Sequence, residues 1–135
     1  MEEKAILGLD LGGTKILSGL ISSRGEVIGN PYTVRTGGKD PEEAIVNRLF
    51  MAIDKSLEDA HLKIGDISGI GIGATGPLDM KRGLILDCPF LPTLKNFPLS
   101  KTIQDKYGVP VYLDNDANCF ALGEWFFGAG KKYET

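Results

Sequence analysis

The sequence is poor in the residues that build metal centres and disulfide frameworks. Its 135 residues include one histidine, His61, and two cysteines, Cys88 and Cys119. Neither a CxxC pair nor a histidine near a cysteine marks a metal site, so the two thiols read as reduced and partly buried, and His61 as a solvated surface residue. An excess of basic residues is also missing. Fifteen Lys and Arg stand against eighteen Asp and Glu, a formal net charge of -3, which excludes the broad electrostatic footprint of a nucleic-acid or anionic-membrane binder. Any phosphate binding must therefore be local. No apolar run approaches the roughly 20 residues of a membrane span, and Met1-Glu2-Glu3-Lys4 lacks the basic and apolar regions of a secretory signal. Repeats, low-complexity tracts and linkers are absent as well. What is present, 42% hydrophobic and 24% charged residues, fits one cytoplasmic globular domain with its own core.

The pattern along the chain predicts an α/β architecture. Residues 5–9 form an apolar run that stops at Asp10, and residues 16–21 form another just past Gly12-Gly13-Thr14, as in two strands joined by a glycine turn. After the polar turn Ser22-Ser23-Arg24-Gly25, residues 26–34 resume an extended pattern, completing an antiparallel meander. Asp40-Pro41-Glu42-Glu43 carries a cap residue, a proline at the first helical position and an acid three after the cap, which starts a helix. Ile45, Leu49, Ala52, Ile53 and Leu57 then give that helix one apolar stripe. Residues 67–74 alternate isoleucine and glycine as a strand before a sharp turn at Thr75-Gly76-Pro77. Residues 98–107 read as a short helix ended by Gly108, and residues 109–113 as a strand closing on Asp114-Asn115-Asp116. Ala117, Ala121, Glu124 and Gly128 mark one side of a last helix. The order is βββαβαβα.

Three segments could carry chemistry. In Asp10-Leu11-Gly12-Gly13-Thr14-Lys15 an acid at a strand end precedes a glycine pair and a hydroxyl. Glycines let backbone N–H groups surround anionic oxygens, Thr14 adds a hydroxyl donor and Lys15 a charge. Asp10 suits Mg²⁺ held beside phosphates through metal-bound water. A plain Gly-Gly hairpin explains the same residues, and neither GxxxxGK[ST] nor GxGxxG is present. Asp114-Asn115-Asp116-Ala117-Asn118 stands at a strand-to-helix junction. One cap residue suffices there, so the surplus of polar groups suits a ligand at a strand's carboxyl end and a carboxylate that accepts a hydroxyl proton. In Gly73-Ala74-Thr75-Gly76-Pro77-Leu78-Asp79, two glycines would let backbone lie against a ring, or simply make a tight turn.

Together, and in this order, the three segments resemble the ROK family of repressors, open reading frames and kinases. The resemblance runs over nearly the whole chain through Asp10-Leu11-Gly12-Gly13-Thr14-Lys15, residues 71–79, Asp114-Asn115-Asp116-Ala117-Asn118 and Leu122-Gly123-Glu124. It implies a ribonuclease H-like, actin-like ATPase lobe spanning residues 1–135, one of two lobes hinged around a cleft. It implies phosphorylation of a hexose by ATP, glucokinase-like, with Asp116 as catalytic base toward the sugar 6-hydroxyl. Asn115, Asp116 and Gly76 would bind the sugar, Gly12, Gly13, Thr14 and Lys15 the transferring phosphate, and Asp10 Mg²⁺ through water. Hexose and ATP are the implied partners, with no nucleic acid bound by this chain alone, no membrane association, and a homo-oligomer left open. The second lobe, with its zinc segment, the remaining sugar ligands and the adenosine pocket, is expected to lie outside this sequence, leaving the chain inactive alone. Two positions depart from the family pattern: Pro89-Phe90-Leu91 stands where Pro-Asn-Leu is usual, and Thr75 where proline is common. The sugar is thereby left open. A sugar-responsive regulator of the same family is the alternative, and an actin-like lobe unrelated to sugars a third reading.

Overall fold

The computed structural model describes residues 4–22, 24, 26–74 and 76–115. Its centre is a sheet of five strands, β1 (Ala5–Leu11), β2 (Lys15–Ile21), β3 (Val27–Arg35), β4 (Ile67–Ala74) and β8 (Val111–Asn115), in the order β3-β2-β1-β4-β8. The first three strands form the expected antiparallel meander, whereas β4 and β8 run parallel to β1. Helix α1 (Glu42–Asp59) links β3 to β4, and α2 (Leu99–Tyr107) precedes β8. Three two-residue strands between them, β5 (Leu78–Asp79), β6 (Leu84–Ile85) and β7 (Phe97–Pro98), make a second small antiparallel sheet. Two residues are too few to display a period of two, so these strands leave no signal in the sequence.

Alternation decides what the large sheet buries. Leu9 lies beside Ser18 on one side and Ile72 on the other, and Ile72 beside Leu113. These residues, with Leu7, Leu11, Ile16, Leu20 and Ile70, form a buried face. The glycines that alternate with the isoleucines of β4 fall on the opposite face, where Gly71 pairs with Gly8 and Gly73 with Asp10. Helix α1 covers part of the buried face with Ile45, Leu49, Ala52, Ile53 and Leu57, and each of the leucine and isoleucine side chains contributes about 1.5–3 kcal/mol when buried. Ile85, Cys88, Leu91, Leu94 and Phe97 bring the small sheet and its loops into the same core.

Two local expectations change in detail. Helix α1 begins at Glu42, but Asp40 does not cap it: Pro41 holds that position, and the Asp40 carboxylate accepts a hydrogen bond from Arg48 Nη1 at 2.8 Å. Binding to an arginine two turns into the helix displaces the capping role. Strand β8 runs to Asn115, two residues beyond the expected stop, while Gly108 ends α2 as expected, with φ 70° and its N–H donating to Gln104 O. Tyr107 ties α2 to α1 by donating to Asp54 Oδ1 at 2.8 Å. Burial, reinforced by that carboxylate, pushes its phenol pKa upward. The last helix expected from the sequence lies outside the described residues.

Among the described residues, a serine hydroxyl on the buried face joins the sheet to helix α1. Ser18 Oγ donates to Ala52 O at 2.9 Å and also meets Ser56 Oγ, joining β2 to α1. Replacing Ser18 with Ala leaves the Ser56 hydroxyl buried without this partner, an expected cost of about 1–2 kcal/mol. Ser18→Ala/Ser56→Ala should cost less than the sum of the single changes in urea denaturation, because the pair shares one interaction. Simple additivity would show that the two hydroxyls are not coupled.

Candidate functional site

Parallel pairing of β1, β4 and β8 brings three carboxyl ends to one edge of the sheet, the edge at which α/β proteins place ligands. Asp10, Gly73 and Asp114 form one register row, and Leu11, Ala74 and Asn115 the next. Adjacent strands lie about 4.8 Å apart, so the Asp10 and Asp114 backbones stand about 10 Å apart on the same face. Between them is a residue without a side chain. Both aspartates are half-buried.

The turn from β1 to β2 lies at this edge too. Gly12 N–H closes it by donating to Lys15 O at 3.1 Å. The next two carbonyls are taken by the loop that follows β3: Gly38 N–H donates to Gly13 O at 3.1 Å and Thr36 N–H to Thr14 O at 2.8 Å. Among the described residues, the N–H groups of Gly13 and Thr14 have no acceptor. The turn is thus held by its carbonyls and presents successive amides outward, an arrangement suited to an anion. Thr36 is itself pinned by Arg48 Nη1, which donates to its carbonyl at 2.6 Å, while its buried hydroxyl has no partner. An unsatisfied buried hydroxyl costs stability, so packing of this loop against the turn must outweigh that cost.

A third element closes around the turn. A Cβ on Gly13 would stand 2.8 Å from Phe90 Cβ and 3.0 Å from Phe90 O, and one on Gly38 would collide with Phe90 O. Glycine at both positions is therefore required for the three segments to meet. Beside this contact opens a cavity of about 420 Å³ lined by Gly13, Thr14, Arg35, Lys39, Asp40 and Phe90, among others.

The residues singled out in the sequence distribute as follows. Asp10, Gly12, Gly13, Thr14 and Lys15 lie on the β1–β2 hairpin, with Lys15 exposed as the first residue of β2. Asn115 ends β8 on the same edge. Gly76 follows β4 and precedes a cis bond to Pro77, and among the described residues a Cβ there would meet nothing closer than Leu78 N at 3.7 Å. Asp116 and Thr75 lie outside the described residues. Residues 35–40 were missed. The available signal was Gly37-Gly38 after β3, a second glycine pair at the far end of the same meander, which matches Gly12-Gly13 across the sheet edge.

Comparison with known proteins gives this edge a context. The ROK family profile matches residues 6–135. The chain is 34% identical to a glucokinase of Halalkalibacterium halodurans, covering 96% of the chain and 39% of the relative. It is 40% identical to a xylose repressor of Caldicellulosiruptor bescii, covering 92% of the chain and 31% of that relative. Among solved structures, a ROK family glucokinase from Streptomyces griseus in complex with glucose and AMPPNP superimposes with a TM-score of 0.75 at 34% identity, over 93% of this chain and 38% of that one. The chain thus spans less than half the length of these relatives. The mixed sheet and its two helices are those of the actin-like, ribonuclease H-like fold.

The clamp on the turn predicts an ordering of glycine substitutions. Gly38→Ala should destabilise the chain by about 1–3 kcal/mol through overpacking against Phe90 O. Gly65→Ala, where a Cβ meets nothing within 4 Å, should stay within about 0.5 kcal/mol of wild type. Urea titration of both variants checks this, and equal midpoints would show that the contact is not tight.

Proposed function

Because the chain belongs to the ROK family over residues 6–135, we propose that it is a single phosphate- and sugar-binding lobe of an ATP-dependent hexose kinase of the glucokinase kind. The open amides of Gly13 and Thr14, at the sheet edge where β8 delivers Asn115, carry this reading. In it, Gly12, Gly13, Thr14 and Lys15 receive the transferring phosphate, and Asn115 orients the sugar. Asp116, the next residue after β8, accepts the proton of the sugar 6-hydroxyl as that oxygen bonds to the γ-phosphorus and ADP leaves. Phosphoryl transfer through a loose transition state asks mainly for orientation and late proton acceptance, so an ionised aspartate of ordinary basicity suffices. Gly76 fits as a place where the backbone approaches the sugar, since among the described residues a Cβ there would meet only Leu78 N, at 3.7 Å.

The donor set also suits Mg²⁺. No group of three or more His, Cys, Asp or Glu among the described residues forms a metal cage, and Mg²⁺ commonly binds phosphates with one or two carboxylates while keeping several waters. Asp10, half-buried at the strand end beside the turn, would hold it through water. Held there, Mg²⁺ would supply neutralisation of charge on the transferring phosphate. Zinc and the adenosine pocket belong to the second lobe in this proposal. A cytoplasmic location fits, and no helix among the described residues is long and apolar enough to cross a membrane.

The identity to a xylose repressor supports a second reading, a sugar-responsive regulator that uses the same edge for binding alone. A coupled assay with glucose, mannose, ATP and Mg²⁺ separates the two. Alone, the 135-residue chain should show no appreciable turnover. Joined to a second lobe it should phosphorylate a hexose, and Asp116→Asn should lower kcat about 10²–10⁴-fold with little change in sugar affinity. Sugar binding with no phosphorylation in the two-lobed protein would favour the regulator.

A further inference from the structure

The large sheet has two edges of different character. Along β3 the edge is interrupted: Gly29 takes the left-handed region at φ 67°, Pro31 follows it, and the register to β2 shifts between Ser18 and Leu20. Such breaks keep a strand from pairing further. Strand β8 contains neither glycine nor proline, and among the described residues no strand pairs with its outer side. Pro110 O accepts from Ile70 N–H at 2.9 Å, so the carbonyl of Pro110 points toward β4. By alternation, the N–H and C=O groups of Val111 and Leu113 point to the open side.

The surroundings of this edge are suited to a ligand. Val111, Tyr112 and Leu113 all line a cavity of about 510 Å³, together with the β5–β6 turn and the outer side of α2. Consecutive strand residues face opposite sides of a sheet, so a cavity that meets three in a row lies against the strand's edge. On the α2 side of it stand Lys81, Arg82 and Lys101, and the acid that lines it, Asp105, is already bound by Lys101 at 2.7 Å. Lys81 forms no ion pair among the described residues, and Arg82 meets Asp79 only at 3.7 Å. Ser100 N–H donates to Gly83 O at 3.1 Å, which fixes the turn that holds Lys81 and Arg82 against α2. On the other face of the sheet Tyr112 is 69% exposed, its ring beside Gly69.

We propose that the open edge of β8 takes an acidic, extended segment of a partner protein as an additional strand. Main-chain hydrogen bonds to Val111 and Leu113 would hold it, as in other cases of strand addition. Its side chains alternate between faces, so acidic ones meet Lys81, Arg82 and Lys101 while apolar ones lie beside Tyr112. Charge decides this occupant. A second copy of the chain, paired edge to edge about a two-fold axis, would bring the same cations together. Nucleic acid asks for a wider basic surface than a chain of net charge -3 offers. The surface uses none of the residues assigned to phosphate, sugar or Mg²⁺, so it is independent of the kinase reading.

The test is fluorescence anisotropy of a short fluorescein-labelled peptide that alternates glutamate and valine, titrated with the 135-residue chain. Binding should saturate, and should be about tenfold or more tighter than that of the same peptide with lysine in place of glutamate. N-methylation of alternate peptide nitrogens, which removes the donors along one peptide edge, should abolish binding when the methylated edge is the one that pairs. Lys81→Glu/Arg82→Glu should weaken the acidic peptide about tenfold or more, and Tyr112→Ala severalfold. Lys95→Glu, a change of the same sign at an exposed lysine away from the cavity, should leave binding unchanged. Because Lys81, Arg82 and Tyr112 are exposed, these variants should retain the wild-type circular dichroism spectrum. Full binding by both N-methylated forms of the peptide would exclude strand addition and overturn the proposal. So would equal binding of the lysine peptide, equal losses from Lys95→Glu and Lys81→Glu/Arg82→Glu, tighter binding of an oligothymidylate, or no saturable binding of the acidic peptide.

Discussion

The site depends on a division of labour within one turn. The carbonyls of Gly13 and Thr14 are bound by the amides of Gly38 and Thr36, and their own N–H groups have no acceptor among the described residues. A hairpin turn has few ways to present consecutive donors rigidly, because its amides usually satisfy its own carbonyls. Here a neighbouring loop satisfies the carbonyls from outside, and Arg48 in turn fixes that loop through the Thr36 carbonyl and the Asp40 carboxylate. Helix α1 therefore holds the turn in place through Arg48 and the loop after β3. The unpartnered hydroxyl of Thr36 is part of the cost of holding the loop there.

Strand polarity supplies the second constraint. The meander alone would leave the glycine turn at the end of a hairpin with nothing opposite. Parallel addition of β4 and β8 places the ends of three strands beside it and sets Asp10 and Asp114 in one row across Gly73. The isoleucine–glycine alternation of β4 serves both faces of the sheet. Its isoleucines fill the core beneath the site, and Gly73 lies between the two aspartates in their row.

Much of this was legible in the sequence because it rests on local patterns. The meander, the apolar stripe of α1, the alternation in β4 and the glycine stop after α2 all follow from period and turn chemistry. What escaped was non-local. Asp40 has the spacing of a cap residue, yet a salt bridge to Arg48 claims it, and no local rule anticipates that competition. The requirement for glycine at positions 13 and 38 comes from Phe90, distant in sequence and irregular in backbone. Lys15 and Arg35 stand side by side only once β3 pairs with β2, which no local pattern marks.

Hydrogen exchange at the turn tests the central claim most directly, because an amide without an acceptor exchanges quickly until a ligand covers it. The Gly13 and Thr14 amides should exchange rapidly in the chain alone, with Thr36 and Gly38 protected, and should slow when tripolyphosphate and Mg²⁺ are added. Protection of Gly13 and Thr14 before any anion is present, or rapid exchange that tripolyphosphate does not change, would contradict the account.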